Sequence, residues 1–106
     1  MTETIVEQCP ICGTQKLCTV FERSGGIEEI RCSECRALVS FSGPTAAKAE
    51  RLKTLMIEKL LIENPDAQPP ANCRRIEDAI TIENGFMFLW WNDEWGSTRV
   101  EQRRIR

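Results

Sequence analysis

Cys9 and Cys12 form one CxxC pair and Cys32 and Cys35 form a second, with 19 residues between Cys12 and Cys32. A CxxC turn aims two thiolates at one point, and two such pairs supply the four ligands of a tetrahedral Zn²⁺ site. In the first pair, Pro10 fixes φ inside the loop and Gly13 can take the positive φ that a knuckle needs after its second ligand. The pattern predicts one zinc ion held by Cys9, Cys12, Cys32 and Cys35. Four cysteines saturate the metal and leave no open position, so the ion is expected to fold the chain and not to catalyse. The competing reading is a pair of structural disulfides. It is disfavoured because residues 1–8 have neither a basic n-region nor an apolar h-region, which predicts reduced thiols and a cytoplasmic protein.

Composition narrows the chemistry further. The chain has 106 residues, enough for one domain or for a small metal module joined to a second small unit. It contains no histidine. That removes the commonest general base, the Ser-His and Cys-His nucleophile pairs and every histidine-containing metal site. The expectation is therefore a binding protein and not an enzyme. A net charge of −2 and a pI of about 5.2 argue against attachment to nucleic acid by bulk charge alone, although a local basic patch stays open. No run of 18 apolar residues exists, so no transmembrane helix is expected.

Two cysteines fall outside the pattern. Cys18 and Cys73 could each be an alternative ligand, a redox thiol or a small buried apolar residue. Cys73 is expected to be the more reactive, because Arg74 and Arg75 follow it directly and cations lower a thiol pKa. Arg74 and Arg75 could also join the arginines of the last eight residues in a basic patch; a solvated, frayed end is the plainer alternative.

The elements that must carry these residues follow from pattern. The fold class is α+β. Residues 1–43 read as a ribbon of three short strands, at 17–21, 27–31 and 37–41, with a turn at Ser24-Gly25-Gly26. Residues 44–64 read as one helix, with Thr45 as N-cap and Asn64-Pro65 as stop. Ala49, Leu52, Met56 and Leu60 make its apolar stripe, and Leu55, Ile57, Leu61 and Ile62 widen it. So apolar a helix must pack on the C-terminal strands or on another chain, which leaves a homo-oligomer open. Residues 65–106 read as a proline-rich connector followed by a three-stranded antiparallel meander packed with the helix.

Asn84-Gly85 between two β-prone runs predicts a type I′ hairpin, because both central positions need φ > 0. That turn sets Ile82 against Met87 and Ile80 against Leu89, giving a core face of Ile80, Ile82, Met87, Leu89 and Trp91. A four-residue loop at 93–96, followed by a strand over 97–106, sets Asn92 against Ser97 and Trp90 against Arg99. The opposite face then carries Phe86, Phe88, Trp90, Arg99 and Arg103 as candidate partner-binding residues. Aromatic faces stack bases and arginines contact phosphate, while the same residue types dominate protein interfaces. The plain alternative is an internal interface with the ribbon.

Cys9-Pro10-Ile11-Cys12-Gly13 with Cys32-Ser33-Glu34-Cys35 resembles the zinc-ribbon superfamily over about residues 7–41. Residues 27–36 also look like the second knuckle of phage Com-type ribbons, translational activators that bind messenger RNA. The resemblance implies a structural zinc and a regulatory protein acting on nucleic acid or a nucleic-acid complex. The alternative is a protein–protein module, such as a phage-type inhibitor or adaptor of a host nucleic-acid enzyme.

Overall fold

The structure, a computed structural model, describes residues 3–105. Four strands, β1 (Glu3–Gln8), β2 (Gln15–Arg23), β3 (Ile27–Cys32) and β4 (Leu38–Ser42), form an antiparallel sheet in the order β1-β2-β3-β4. Helix α1 (Ala46–Glu63) follows, then a single 3₁₀ turn (Ile76–Ala79). Strands β5 (Ile80–Glu83), β6 (Phe86–Asn92) and β7 (Thr98–Arg104) make a second antiparallel sheet in sequence order. The architecture is α+β, as expected, with one strand more than expected. β1 was not foreseen because its residues are mostly exposed; Ile5, its half-buried residue, packs on Cys18, Val20 and Ile30. The last strand ends at Arg104, and the expected end at Arg106 lies outside the described residues, as do Met1 and Thr2 of the expected ribbon segment.

The helix lies between the two sheets, packing on β4 and β6. One apolar cluster runs through all three units: Ile27, Leu38 and Phe41 from the first sheet, Met56 and Leu60 from α1, and Ile80, Ile82, Met87 and Leu89 from the second. A β-bulge lets β4 contribute twice. Leu38 and Phe41 are three apart, so a regular strand would turn them to opposite faces. The register shift opposite Ile30/Arg31 restores both to the helix side. Gly43 is needed at the entry to α1: its φ is +101°, and a Cβ there would meet the Gly26 carbonyl at 2.5 Å.

Two local expectations about α1 change. Thr45 makes no side-chain cap; its hydroxyl instead donates to the Gly25 carbonyl at 2.6 Å, tying the helix start to the β2–β3 turn. The wide stripe is only half covered. Ala49, Met56 and Leu60 are buried, whereas Leu55, Leu61 and Ile62 remain exposed.

Candidate metal centre and interaction surface

The two CxxC turns are built alike. In the first, the Cys9 N–H donates to Thr14 O at 3.0 Å and the Gly13 N–H to Cys9 O at 2.8 Å. In the second, the Cys32 N–H donates to Ala37 O at 3.0 Å and the Arg36 N–H to Cys32 O at 2.9 Å. Each turn needs a left-handed residue just after its second cysteine: Gly13 at φ +74° and Arg36 at φ +64°. β2 and β3 bring the turns together, and the Ser33 N–H donates to Leu17 O at 3.0 Å.

The four sulfurs then lie within 4.8 Å of one another, with Cys9 and Cys35 3.4 Å apart. Metal–sulfur bonds of about 2.3 Å in a tetrahedron put sulfurs about 3.8 Å apart, so the cluster fits one tetrathiolate ion. Its electrostatics also call for a cation. Burial opposes a charge on Cys9, but the Cys12 N–H, 3.3 Å from its sulfur, and the Cys35 thiol overcome this and bring Cys9 down to about 7. Burial and the neighbouring thiols push Cys12 up to about 12. The protein alone favours a thiolate at Cys9 and opposes one at Cys12; a divalent ion bound here would offset that opposition.

Cys18 and Cys73 stand apart from this cluster, and all six cysteines are free thiols. Cys18 pairs with Cys32 across β2 and β3 but packs into a separate apolar cluster with Val20 and Ile30. Burial raises its pKa. Cys73 departs from expectation. Burial first, and then the Asp78 carboxylate, raise its pKa, and Arg31 offsets them only in part. Arg75 does not activate it, because its guanidinium is taken by Asp78 at 2.7 Å.

The first hairpin pairs as expected: Glu83 with Phe86, Ile82 with Met87 and Ile80 with Leu89. The second does not. Asn92 pairs with Thr98, Trp91 with Arg99, Trp90 with Val100 and Met87 with Arg103. The shift of one residue comes from the turn. The Gly96 N–H donates to Asp93 O at 3.0 Å, Gly96 adopts φ +78°, and the Asp93 N–H reaches Ser97 O at 2.9 Å. This is a three-residue loop closed by a glycine bulge, which adds one residue to the count. Asp93 fixes it by accepting the N–H groups of Trp95 and Ser97, both at 2.9 Å.

A one-residue shift reverses every facing of a strand. Arg99 and Arg103 therefore leave the aromatic face. Arg99 pairs with Asp93 at 3.0 Å, and Arg103 pairs with Glu101 at 3.4 Å. Phe86, Phe88 and Trp90 do share the outer face, with Thr81, Glu83, Val100, Gln102 and Arg104 beside them. Trp90 is 40% exposed and donates its indole N–H to the Thr81 hydroxyl at 3.2 Å.

Sequence reasoning missed a buried charge network. Glu29 is 1% exposed and lies between Arg23 and Arg31. Arg31 also donates to the carbonyls of Arg36 and Asp78, each at 3.1 Å, and of Ile80 at 3.0 Å. Asp78 accepts the Leu38 N–H at 2.9 Å, and Arg75 reaches Leu38 O at 2.8 Å. These bonds lock the second knuckle to β5. Alternation in β3 was the available signal, since Glu29 shares the face of buried Ile27.

No protein-family model, curated protein sequence or solved structure matches the chain. No helix among the described residues is long and apolar enough to cross a membrane.

Proposed function

We propose that this is a small regulatory zinc-ribbon protein, a binding module and not a catalyst, that acts on nucleic acid or a nucleic-acid complex. Zinc is the ion that a closed set of four thiolates favours when no cluster chemistry is built around it. One observation carries the partner class: the outer face of the second sheet presents Phe86, Phe88 and Trp90 in a row, and at Thr81 that face opens on an arginine-lined groove. Rings supply stacking worth about 1–3 kcal/mol per base, and guanidinium groups supply phosphate contacts.

A second reading, a protein-binding module, draws support from Trp95, which stands 82% exposed at the tip of the β6–β7 loop. Titrating the zinc-loaded protein with single-stranded RNA and DNA while following tryptophan fluorescence separates the two. Quenching that fades steeply as salt rises is the expected result. Unchanged fluorescence and unchanged mobility at low salt would overturn the nucleic-acid reading.

A further inference from the structure

The groove beside Thr81 has a volume of about 340 Å³, within the range of about 300–1,000 Å³ seen for ligand sites. It runs between the second knuckle and the connector. Arg23, Arg31, Arg36 and Arg74 line it, against the carboxylates of Glu29 and Asp78. Asp78 is already neutralised from behind by Arg75. The groove is thus locally basic on a chain of net charge −2. A second hollow, lined by Thr19, Phe21 and Ser33, shares Arg31 and Arg36 with it.

The four arginines are not equivalent. Arg31 spends its donors on Glu29 and on three carbonyls, so it is framework. Arg23 is held on Glu29 at 3.2 Å and stacks over the Phe21 ring, 5.0 Å from its centroid. Arg36 and Arg74 are exposed and make no ion pair among the described residues. Their guanidinium donors are free for a ligand.

Arg36 carries a second, independent mark. It occupies the left-handed position that glycine fills in the first knuckle, at φ +64° against +74° for Gly13. Glycine would hold the same turn without strain, and strained residues that persist concentrate at functional sites. A guanidinium kept at a strained position, with no ion-pair partner among the described residues, points to a partner outside the chain.

From these observations we infer that Arg36 and Arg74 bind the phosphodiester groups of a single-stranded nucleic acid. The strand runs along this groove, and its bases reach the Phe88 and Trp90 rings past Thr81. The inference rests on the nucleic-acid reading above and places its backbone contacts. Two arginine-lined hollows that share Arg31 and Arg36, with rings beside each, suit a repeating anion with stackable bases better than one isolated phosphate. A metal held by four thiolates leaves a net negative charge behind Cys35, which also lines the groove, so the affinity is expected to be modest and salt-sensitive.

The test uses the zinc-loaded full chain, a fluorescein-labelled eight-nucleotide uridylate and inorganic phosphate. Anisotropy is read against salt for the wild type, for Arg36→Gly with Arg74→Ala, and for Arg99→Ala with Arg103→Ala. Arg36→Gly relieves its own backbone, so loss of fold does not confuse the result. Expected is a loss of about tenfold or more for the groove pair, with the log–log salt slope reduced by about 1–2, and about threefold or less for the β7 pair. Uridylate binding that survives in the groove pair overturns the groove and leaves the nucleic-acid reading standing. No uridylate binding by the wild type, with phosphate still shifting the Arg36 and Arg74 Nε–H resonances, overturns the nucleic-acid reading and leaves a phosphate site. Neither signal overturns both.

Discussion

At the knuckle end, Cys9, Cys32 and Ala37 form a small buried cluster with half-buried Ile11, Cys12, Cys35 and Val39 around it. Around α1, between the two sheets, the buried set is larger and contains no cysteine, and it includes Met56, Leu60, Ile80, Met87 and Leu89. The first region has little apolar volume and four sulfurs placed where a metal could hold it; the second relies on area removed from water. Between them lies a polar joint, in which Arg31 and Arg75 carry the hydrogen bonds. The contrast teaches where each kind of perturbation should be felt.

Loss of the metal should produce the largest effect. Cys32→Ser removes one ligand, and the apparent binding energy of a structural zinc, about 10–16 kcal/mol at neutral pH, is largely folding energy. Expected are loss of bound zinc and loss of amide exchange protection at both knuckles, with protection kept at Met87 and Leu89 in β6. If β6 loses protection together with the knuckles, the two regions are one cooperative unit and the contrast fails. Leu89→Ala tests the other side. Leu89 is fully buried among apolar side chains, so its truncation should cost about 3 kcal/mol by denaturant unfolding. Zinc should stay bound in that variant, as a competing chromophoric chelator would report.

The joint comes next in size. Glu29→Gln leaves Arg23 and Arg31 facing an uncharged group in a buried place. Removing one member of a buried ion pair is strongly destabilising, but the amide oxygen still accepts a hydrogen bond and Arg23 is partly solvated, so about 2 kcal/mol is expected. The signature is spatial: exchange should quicken at both Leu38 and Ile80. Quickening in the first sheet alone would mean that Arg31 does not couple the two regions.

How much of this was legible in the sequence follows the same division. Local constraints read well. CxxC spacing foretold which four sulfurs converge, and Asn84-Gly85 foretold the register of β5 on β6, because both are fixed within a few residues. Arrangements that depend on a single extra residue or on distant neighbours read poorly. Gly96 was seen as part of a turn but not as a bulge, and that one residue moved Arg99 and Arg103 to the other face. β1 has no apolar alternation to show, since the first sheet itself supplies its partner. The burial of Glu29 between Arg23 and Arg31 was not anticipated, and the arginine groove arises from segments far apart in the chain.

The smallest expected effect concerns the one position where the two knuckles differ most. Gly13 and Arg36 make the same hydrogen bond with nearly the same positive φ, so any stability difference between the residues there is mainly backbone. A non-glycine residue in this region costs about 1 kcal/mol, and glycine gives back about 0.5 kcal/mol through the freer unfolded chain. Arg36→Gly should therefore raise stability by about 0.5 kcal/mol, a rise in melting temperature of about 2–4 °C. Removing a surface charge with no ion-pair partner among the described residues should not change that sign. If the substitution lowers stability instead, Arg36 has an intramolecular role, and its strained conformation no longer speaks for a ligand. If it raises stability while weakening binding of the labelled uridylate, the second knuckle trades stability for a guanidinium in the groove, and the first knuckle, with Gly13, shows what the same turn looks like when only the metal has to be held.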